Sequence, residues 1–403
     1  MASIAPAIVG TGEDACAARR SRLPLFPYST PSPSSVISEP GEQRVAFEEI
    51  RTRWKVRLRA ARRPALALAV GLLLAGGAAL VAARIFALSH ETPSLGFRGV
   101  QKGAVIKIPD DWLGSALRPN SRVNQEKFHD NRLFADVVYT VDECGRRTTV
   151  QPAGAYESFA VFGPCSFTFG DGVNDDQTLA SQFAGRLGGK KIHVCNYGVS
   201  GWGPTNFLAL ATDPRLPRCL REPRGFVVYT FIDPHVDRAI GRMALLDFDA
   251  WSRFPYYRIG PGGVVVRAGL IDREHPPPLP RFYRLLRRLG VASVFYPDWP
   301  KSFTDDHYRF TAKIIEETAR EFGRRFTSAG FYVVLFPGAK NGAKVMSFAD
   351  PALVRVLDYS TMLEPKDTGA GTPYFQLDGH PTPLLLEMVA GRLVADLTKA
   401  GAL

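Results

Sequence analysis

The chain is poor in cysteine, with five among 403 residues, and none of them stands with histidines at structural-zinc spacing. That scarcity excludes zinc-finger proteins and disulfide-dense miniature scaffolds. No segment recurs at a fixed period, which rules out solenoids and propellers. Acidic residues are the minority, 39 against 50 basic ones, for a formal charge of +11. The surplus does not form a nucleic-acid surface, because no aromatic-interleaved basic motif or recognition-helix pattern occurs. Much of it is confined to residues 50–64, where Arg51, Arg53, Lys55, Arg57, Arg59, Arg62 and Arg63 stand with no acidic neighbour. Nucleic acid is not an expected partner.

Directly after this basic cluster, residues 64–83 are apolar and carry no charge. Twenty such residues span a bilayer as a helix. The basic flank places the N-terminus in the cytoplasm and everything after about residue 89 outside it. The expected organisation is a disordered basic tail (1–63), one transmembrane helix (64–88), an extracytoplasmic linker with a β-hairpin (89–150) and a large domain (151–403). The membrane partner is met through that one helix.

From residue 158 the pattern alternates between short apolar runs and helical periods, which predicts a parallel sheet covered by helices on both faces. Strands are expected at 158–163, 191–195, 225–232, 331–336 and 353–358. A helix opens at Pro204, and others cover 305–328 and 383–398. Upstream, residues 112–117 read as a short helix, 118–120 as an extended arm, and 135–141 with 147–150 as a hairpin around 142–146. This preamble shows no chemistry of its own. Residues 245–304 interrupt the alternation with Trp251, Tyr256, Tyr257 and a proline run. Such an insertion is either a lid whose aromatic faces stack on a sugar, or a membrane-facing excursion.

The most informative stretch is Ser158-Phe-Ala-Val-Phe-Gly-Pro-Cys-Ser166-Phe-Thr-Phe-Gly170. A buried strand stops at Gly163 and Pro164, a turn lifts Ser166, and Gly170-Asp-Gly172-Val-Asn-Asp-Asp176 leads into a helix. A serine hydroxyl then lies beside exposed backbone N–H groups, the arrangement that acyl transfer needs. Two further blocks follow, Val194-Cys-Asn196-Tyr-Gly198-Val-Ser-Gly201-Trp-Gly203 and Leu377-Asp378-Gly-His380-Pro381. Together the three resemble the SGNH (GDSL) hydrolase superfamily, in the variant whose first block reads Gly-Cys-Ser-Phe-Thr-Phe-Gly. The likeness covers roughly residues 130–400.

The resemblance implies an α/β, flavodoxin-like sheet sandwiched by helices, with Ser166 as nucleophile, His380 as base and Asp378 as the acid that orients His380. The Asp-x-His interval matches relatives that acetylate exopolysaccharides, so either water or a sugar hydroxyl accepts the acyl group. The oxyanion hole would use the Ser166 and Gly201 backbone N–H groups. The family's third-block asparagine is missing, since Ile232-Asp233-Pro-His235-Val-Asp237-Arg238 stands there, and His235 or Asn196 is the candidate side-chain donor. Trp202, Trp251 and Tyr256 are candidate substrate contacts. Asp233, His235 and Asp237 could together meet a divalent cation, but a hydrogen-bonded loop with Arg238 neutralising the acids is the preferred account, so no metal or cofactor is expected.

The expected substrate is an acylated small molecule or glycan at a bacterial-type cell membrane, with the catalytic domain periplasmic or extracellular. A catalytically impaired scaffold that binds glycan is the alternative. Cys165 and Cys195, at the ends of two strands, are candidates for a disulfide.

Overall fold

The computed structural model describes residues 40–89, 96–103, 105–242, 253–271 and 300–403, with the single positions 245 and 285. The tail 1–39, Trp251 and the runs 276–280 and 296–299 lie outside the described residues. Helix α1 (Pro40–Ser89) is continuous over 50 residues. The expectation of an unstructured tail up to residue 63 therefore fails over 40–63. That segment is rich in the strong helix formers Glu, Arg, Lys and Ala, and Arg53 meets Glu49 one turn back at 3.0 Å. Within α1, Pro64–Phe86 is a stretch of 23 residues long and apolar enough to cross a membrane, and none of it is buried against protein.

The chain divides into two compact units, Met1–Ala75 and Gly76–Leu403. The second contains, after the end of α1, five antiparallel strands: β1 (Phe97–Gly103), β2 (Lys107–Asp110), β3 (Gly114–Leu117), β4 (Ser121–His129) and β5 (Arg132–Val141). β1, β4 and β5 form one sheet, and β2 pairs with β3. Residues 112–117 are thus not the expected helix. Asp110 accepts the Trp112 and Leu113 N–H groups at 2.8 and 2.7 Å, closing a turn that sends 114–117 back as a strand. The hairpin expectation holds for 135–141 but misplaces the partner. β5 pairs with β4, from Ser121↔Val141 onward, whereas Arg147 makes only isolated bridges to Val141 and Asn196. Along β4, Ser121, Val123, Gln125 and Lys127 are buried at every second position. Period-two alternation therefore sends Lys127 inward with a valine.

From residue 158 the elements are β6 (Ser158–Gly163), α2 (Ser166–Phe169), α3 (Leu179–Ala184), β7 (Ile192–Asn196), α4 (Pro204–Thr212), α5 (Leu216–Cys219), β8 (Arg224–Phe231) and α6 (Pro234–Ile240). After them come β9 (Pro255–Ile259), β10 (Val265–Leu270), α7 (Asp305–Arg325), β11 (Thr327–Leu335), α8 (Gly342–Met346), β12 (Arg355–Asp358) and α9 (Pro383–Lys399). The five parallel strands run in the order β7-β6-β8-β11-β12. Counted along the chain this is 2-1-3-4-5, the flavodoxin-like order that the resemblance implies. Phe159, Val161, Tyr229 and Val333 pack on one face with Phe207 of α4 and Phe322 of α7. Ala160, Phe162, Val228 and Val334 pack on the other with Phe183 of α3 and Leu393 of α9. Burial on both faces is why these strands read as unbroken apolar runs. The described part of the insertion is the antiparallel hairpin β9–β10.

The cysteine expectation is overturned. Cys144 and Cys219 form the disulfide, and Cys165 and Cys195 are buried free thiols. β6 and β7 are neighbours, but the register sets Cys195 opposite Val161. Cys165 lies four residues beyond that pairing, about 13 Å along the chain, outside disulfide reach.

Candidate active site

In a doubly wound sheet, ligands bind beyond the carboxyl ends of the strands where the strand order reverses, here between β6 and β8. Both strands deliver loops to one cavity of about 910 Å³ at that place. Ser166, Asp171, Ser200, Gly201, Asp233, Arg238, Asp378 and His380 all line it. Ser166 is the first residue of α2, one turn past the end of β6, and is 5% exposed. Its hydroxyl makes no hydrogen bond among the described residues and opens on the cavity. In an unliganded serine site the bond to the base often tightens only when substrate arrives.

The second half of the constellation sits on the loop before α9. Gln376 N–H donates to the His380 carbonyl at 2.7 Å, and Gly379 N–H to the Gln376 carbonyl at 2.9 Å. Gly379, at φ 80°, turns the chain so that both Asp378 and His380 face the cavity. His380 Nδ1 lies 3.1 Å from Asp378 Oδ2, close enough for charge pairing although the ring N–H is not directed along a hydrogen bond. The Phe167 ring packs against the imidazole at 5.8 Å between centroids.

Around this pair stands a polar cluster that the motifs did not reveal. Lys127 contacts Asp378 Oδ2 and also lies 3.1 Å from Asp171 Oδ1. Asp171 accepts further hydrogen bonds from Tyr139 Oη at 3.1 Å and Ser200 Oγ at 2.9 Å, and its Oδ2 is 3.9 Å from His380 Nε2. Tyr139 Oη in turn accepts the Gly172 N–H at 2.8 Å. Burial works to raise both carboxyl pKa values, yet both end below the usual carboxylate range. For Asp378 the close approach of His380, together with Lys127, outweighs burial. For Asp171 the charges of His380 and Lys127 and the Ser200 hydroxyl do so. One lysine against two carboxylates leaves the cluster with one net negative charge. An imidazolium formed during attack would complete the balance.

The remaining predicted site residues separate into two groups. Gly201 lines the cavity at φ 89°, a backbone state that favours glycine, and its N–H donates to no backbone carbonyl among the described residues. Asn196, His235 and Trp202, expected at the site, do not line the cavity. Asn196 Nδ2 donates to the Thr168 carbonyl at 2.9 Å, and its Oδ1 accepts the Gly198 N–H at 3.0 Å, so it pins the two loops together. His235 is fully buried with Nδ1 at 3.1 Å from Tyr229 Oη, and burial, aided by the Arg238 charge, holds its pKa well below the histidine range. Trp202 is 2% exposed, and its Nε1 donates to the Ser115 carbonyl at 3.0 Å, making it a core residue rather than a sugar platform.

Tyr256 sits in β9 and does not line the cavity; its neighbours Arg253 and Phe254 do. Asp233 accepts the Lys340 and Asn341 N–H groups at 2.9 and 2.8 Å, while Asp237 pairs with Arg242 at 2.9 Å. With His235 in the core, these three side chains serve different partners, and Arg242, not Arg238, neutralises Asp237. Asp171 directly follows the first block and could have been found there. Lys127 and Tyr139 carry no local signal.

No known family profile matches the chain, and no curated protein matches it. Among solved structures, an acetyl xylan esterase from the rumen bacterium Butyrivibrio proteoclasticus aligns over 72% of this chain and 73% of its own, at 11% identity and a TM-score of 0.35. A family two carbohydrate esterase from Clostridium thermocellum, solved with cellohexaose, aligns over 64% and 69%, at 14% identity and a TM-score of 0.33.

Proposed function

We propose that this chain is a membrane-anchored serine esterase or O-acyltransferase that acts outside the cytoplasm on acyl esters of an envelope polysaccharide. The observation that carries this is the convergence of Ser166, His380 and Asp378 on one cavity at the switch point of the sheet, with His380 Nδ1 at 3.1 Å from Asp378 Oδ2. Ser166 Oγ attacks the ester carbonyl as His380 takes its proton. Asp378 holds the imidazole and faces the charge it gains, and the leaving alkoxide recovers the proton from His380. Water or a glycan hydroxyl then resolves the acyl-enzyme by the same steps in reverse. The anchor is supported by the apolar segment Pro64–Phe86 and the basic cluster before it. The Cys144–Cys219 disulfide suits an oxidising compartment.

A non-catalytic glycan-binding protein is favoured by one observation, the absence of a side-chain hydrogen bond from Ser166 among the described residues. The test is a fluorophosphonate probe on the full-length protein in detergent, with the adduct located by peptide mass. Covalent phosphonate on Ser166, lost in Ser166→Ala and His380→Ala, is the expected result. A folded, monodisperse sample that stays unlabelled would remove the esterase and leave the binder. Acetate release measured against transfer to an oligosaccharide separates hydrolase from transferase.

A further inference from the structure

The geometry points to Arg238 as the side-chain donor of the oxyanion hole. This rests on the serine-esterase function proposed above and supplies the group missing from it, since Asn196 and His235 are turned away and Asp233 holds the 340–341 backbone.

Arg238 lies in α6, directly after β8, and lines the cavity while only 8% exposed. Nη1 donates to the Trp202 carbonyl at 2.8 Å. The other guanidinium N–H groups are not sealed among protein atoms and open on the cavity. No carboxylate lies within ion-pair distance among the described residues, because the adjacent Asp237 is taken by Arg242. A buried cation without a counter-ion is expensive in folding terms, and chains keep one chiefly where its charge is used.

Its position relative to the nucleophile is defined from two sides. A Cβ on Gly203 would sit 2.6 Å from Arg238 Cβ, so the glycine that ends the 201–203 loop is what lets this side chain pass. Cys165, immediately before Ser166, feels the Arg238 charge, which opposes the rise that burial imposes on its thiol. The Arg238 side chain is therefore packed against the 201–203 loop and within electrostatic reach of the residue before Ser166, on the wall of the cavity that Ser166 and Gly201 also line.

In the reaction, the bond from Ser166 Oγ to the carbonyl carbon forms while the serine proton passes to His380. The carbonyl π pair moves onto oxygen, and an Arg238 N–H hydrogen-bonds that oxyanion together with the Ser166 and Gly201 N–H groups. When the C=O bond re-forms, the C–O bond to the alcohol breaks and the alkoxide takes the proton back from His380. A charge-assisted donor in a water-poor site is stronger than the neutral amide it replaces.

The test uses full-length protein in detergent. In a crystal structure of the wild type phosphonylated on Ser166, the phosphoryl oxygen should lie about 3 Å from an Arg238 N–H. With an acetyl ester, Arg238→Met should lower kcat by about 100 to 1,000 fold while KM stays within about threefold. Arg238→Lys should recover part of the loss, because it keeps the charge without the planar fork.

A phosphoryl oxygen held only by backbone N–H groups, with Arg238 out of reach, would overturn the assignment. So would a rise in KM at unchanged kcat, which marks a ground-state anchor for an anionic substrate. If the variants do not fold, the adduct structure decides alone. A wild type that is never phosphonylated removes the esterase and Arg238's role with it, whereas a labelled Ser166 without the arginine contact removes the latter only.

Discussion

The loops at the ends of the parallel strands and the antiparallel strands of residues 97–141 both reach the same cavity, but they contribute in different ways. The loops carry the proposed reacting groups, Ser166, His380 and Asp378, each at a position marked by a glycine or proline in the adjacent sequence. The antiparallel strands carry Lys127 and Tyr139, ordinary residues of a hairpin, which pair with the Asp378 and Asp171 carboxylates. Reacting groups need special backbone, and so leave a local trace. Groups that set charge need only to be near, and strand alternation is enough to point them inward.

The sharpest contrast comes from the acid on the loop side. Asp378→Asn should lower kcat by roughly 10⁴ fold, the scale on which a triad loses its base tautomer. Asp171→Asn should cost much less. Equal losses in a steady-state ester assay would mean that the two carboxylates share one role and that the motif does not single out the acid.

On the hairpin side the largest effect expected is on stability. The Cys144–Cys219 disulfide closes a loop with a sequence separation of 75 and ties the end of β5 to α5. Cys144→Ser should lower the unfolding free energy by about 4 kcal/mol on the chain-entropy scale, read by urea denaturation. A change near zero would show that the hairpin stays docked without the covalent link.

Lys127→Met leaves two half-buried carboxylates without their shared cation and should cost about 2–3 kcal/mol at pH 7. Its pH profile carries a sign. Both carboxyl pKa values are depressed in the folded state, so the stability they contribute is complete above the unfolded carboxylate pKa of about 4 and is lost as the pH falls below it toward the depressed values. Without Lys127 the depression is smaller, less stability is present above pH 4, and the loss is completed at a higher pH. Superimposable acid limbs for the two proteins would refute the electrostatic role of Lys127.

The smallest effect belongs to Tyr139→Phe, which removes one bond to Asp171 and leaves the Gly172 N–H without its acceptor. A loss of about 1–2 kcal/mol is expected, with KM unchanged. A loss larger than that of Lys127→Met would reverse the order of importance within the hairpin.

The large domain was legible because its strands are buried on both faces and stand out as apolar runs, as at 158–163 and 225–232. The preamble was not, because β4 alternates polar and apolar side chains and buries Gln125 and Lys127 as well as Val123. Trp202 and His235 were read by chemical type, an aromatic face and an imidazole beside the motifs. Burial decided otherwise, and neither adjacency nor residue type reports it. Arg238 was visible only as a charge among acids. Its isolation from them followed from Arg242 taking Asp237.

By itself, the sequence determined the alternation of strands and helices, the apolar span near the N-terminus and the three blocks bearing Ser166, Gly201 and His380. Those are local properties, written in periodicity, charge runs and turn residues a few positions apart. Only the tertiary structure decided which cysteines bridge, that Lys127 is shared between Asp171 and Asp378, and that Arg238 has no ion-pair partner among the described residues at the cavity wall. Each depends on strand register and side-chain direction across separations of tens to hundreds of residues, where a single-residue slip turns a side chain to the opposite face.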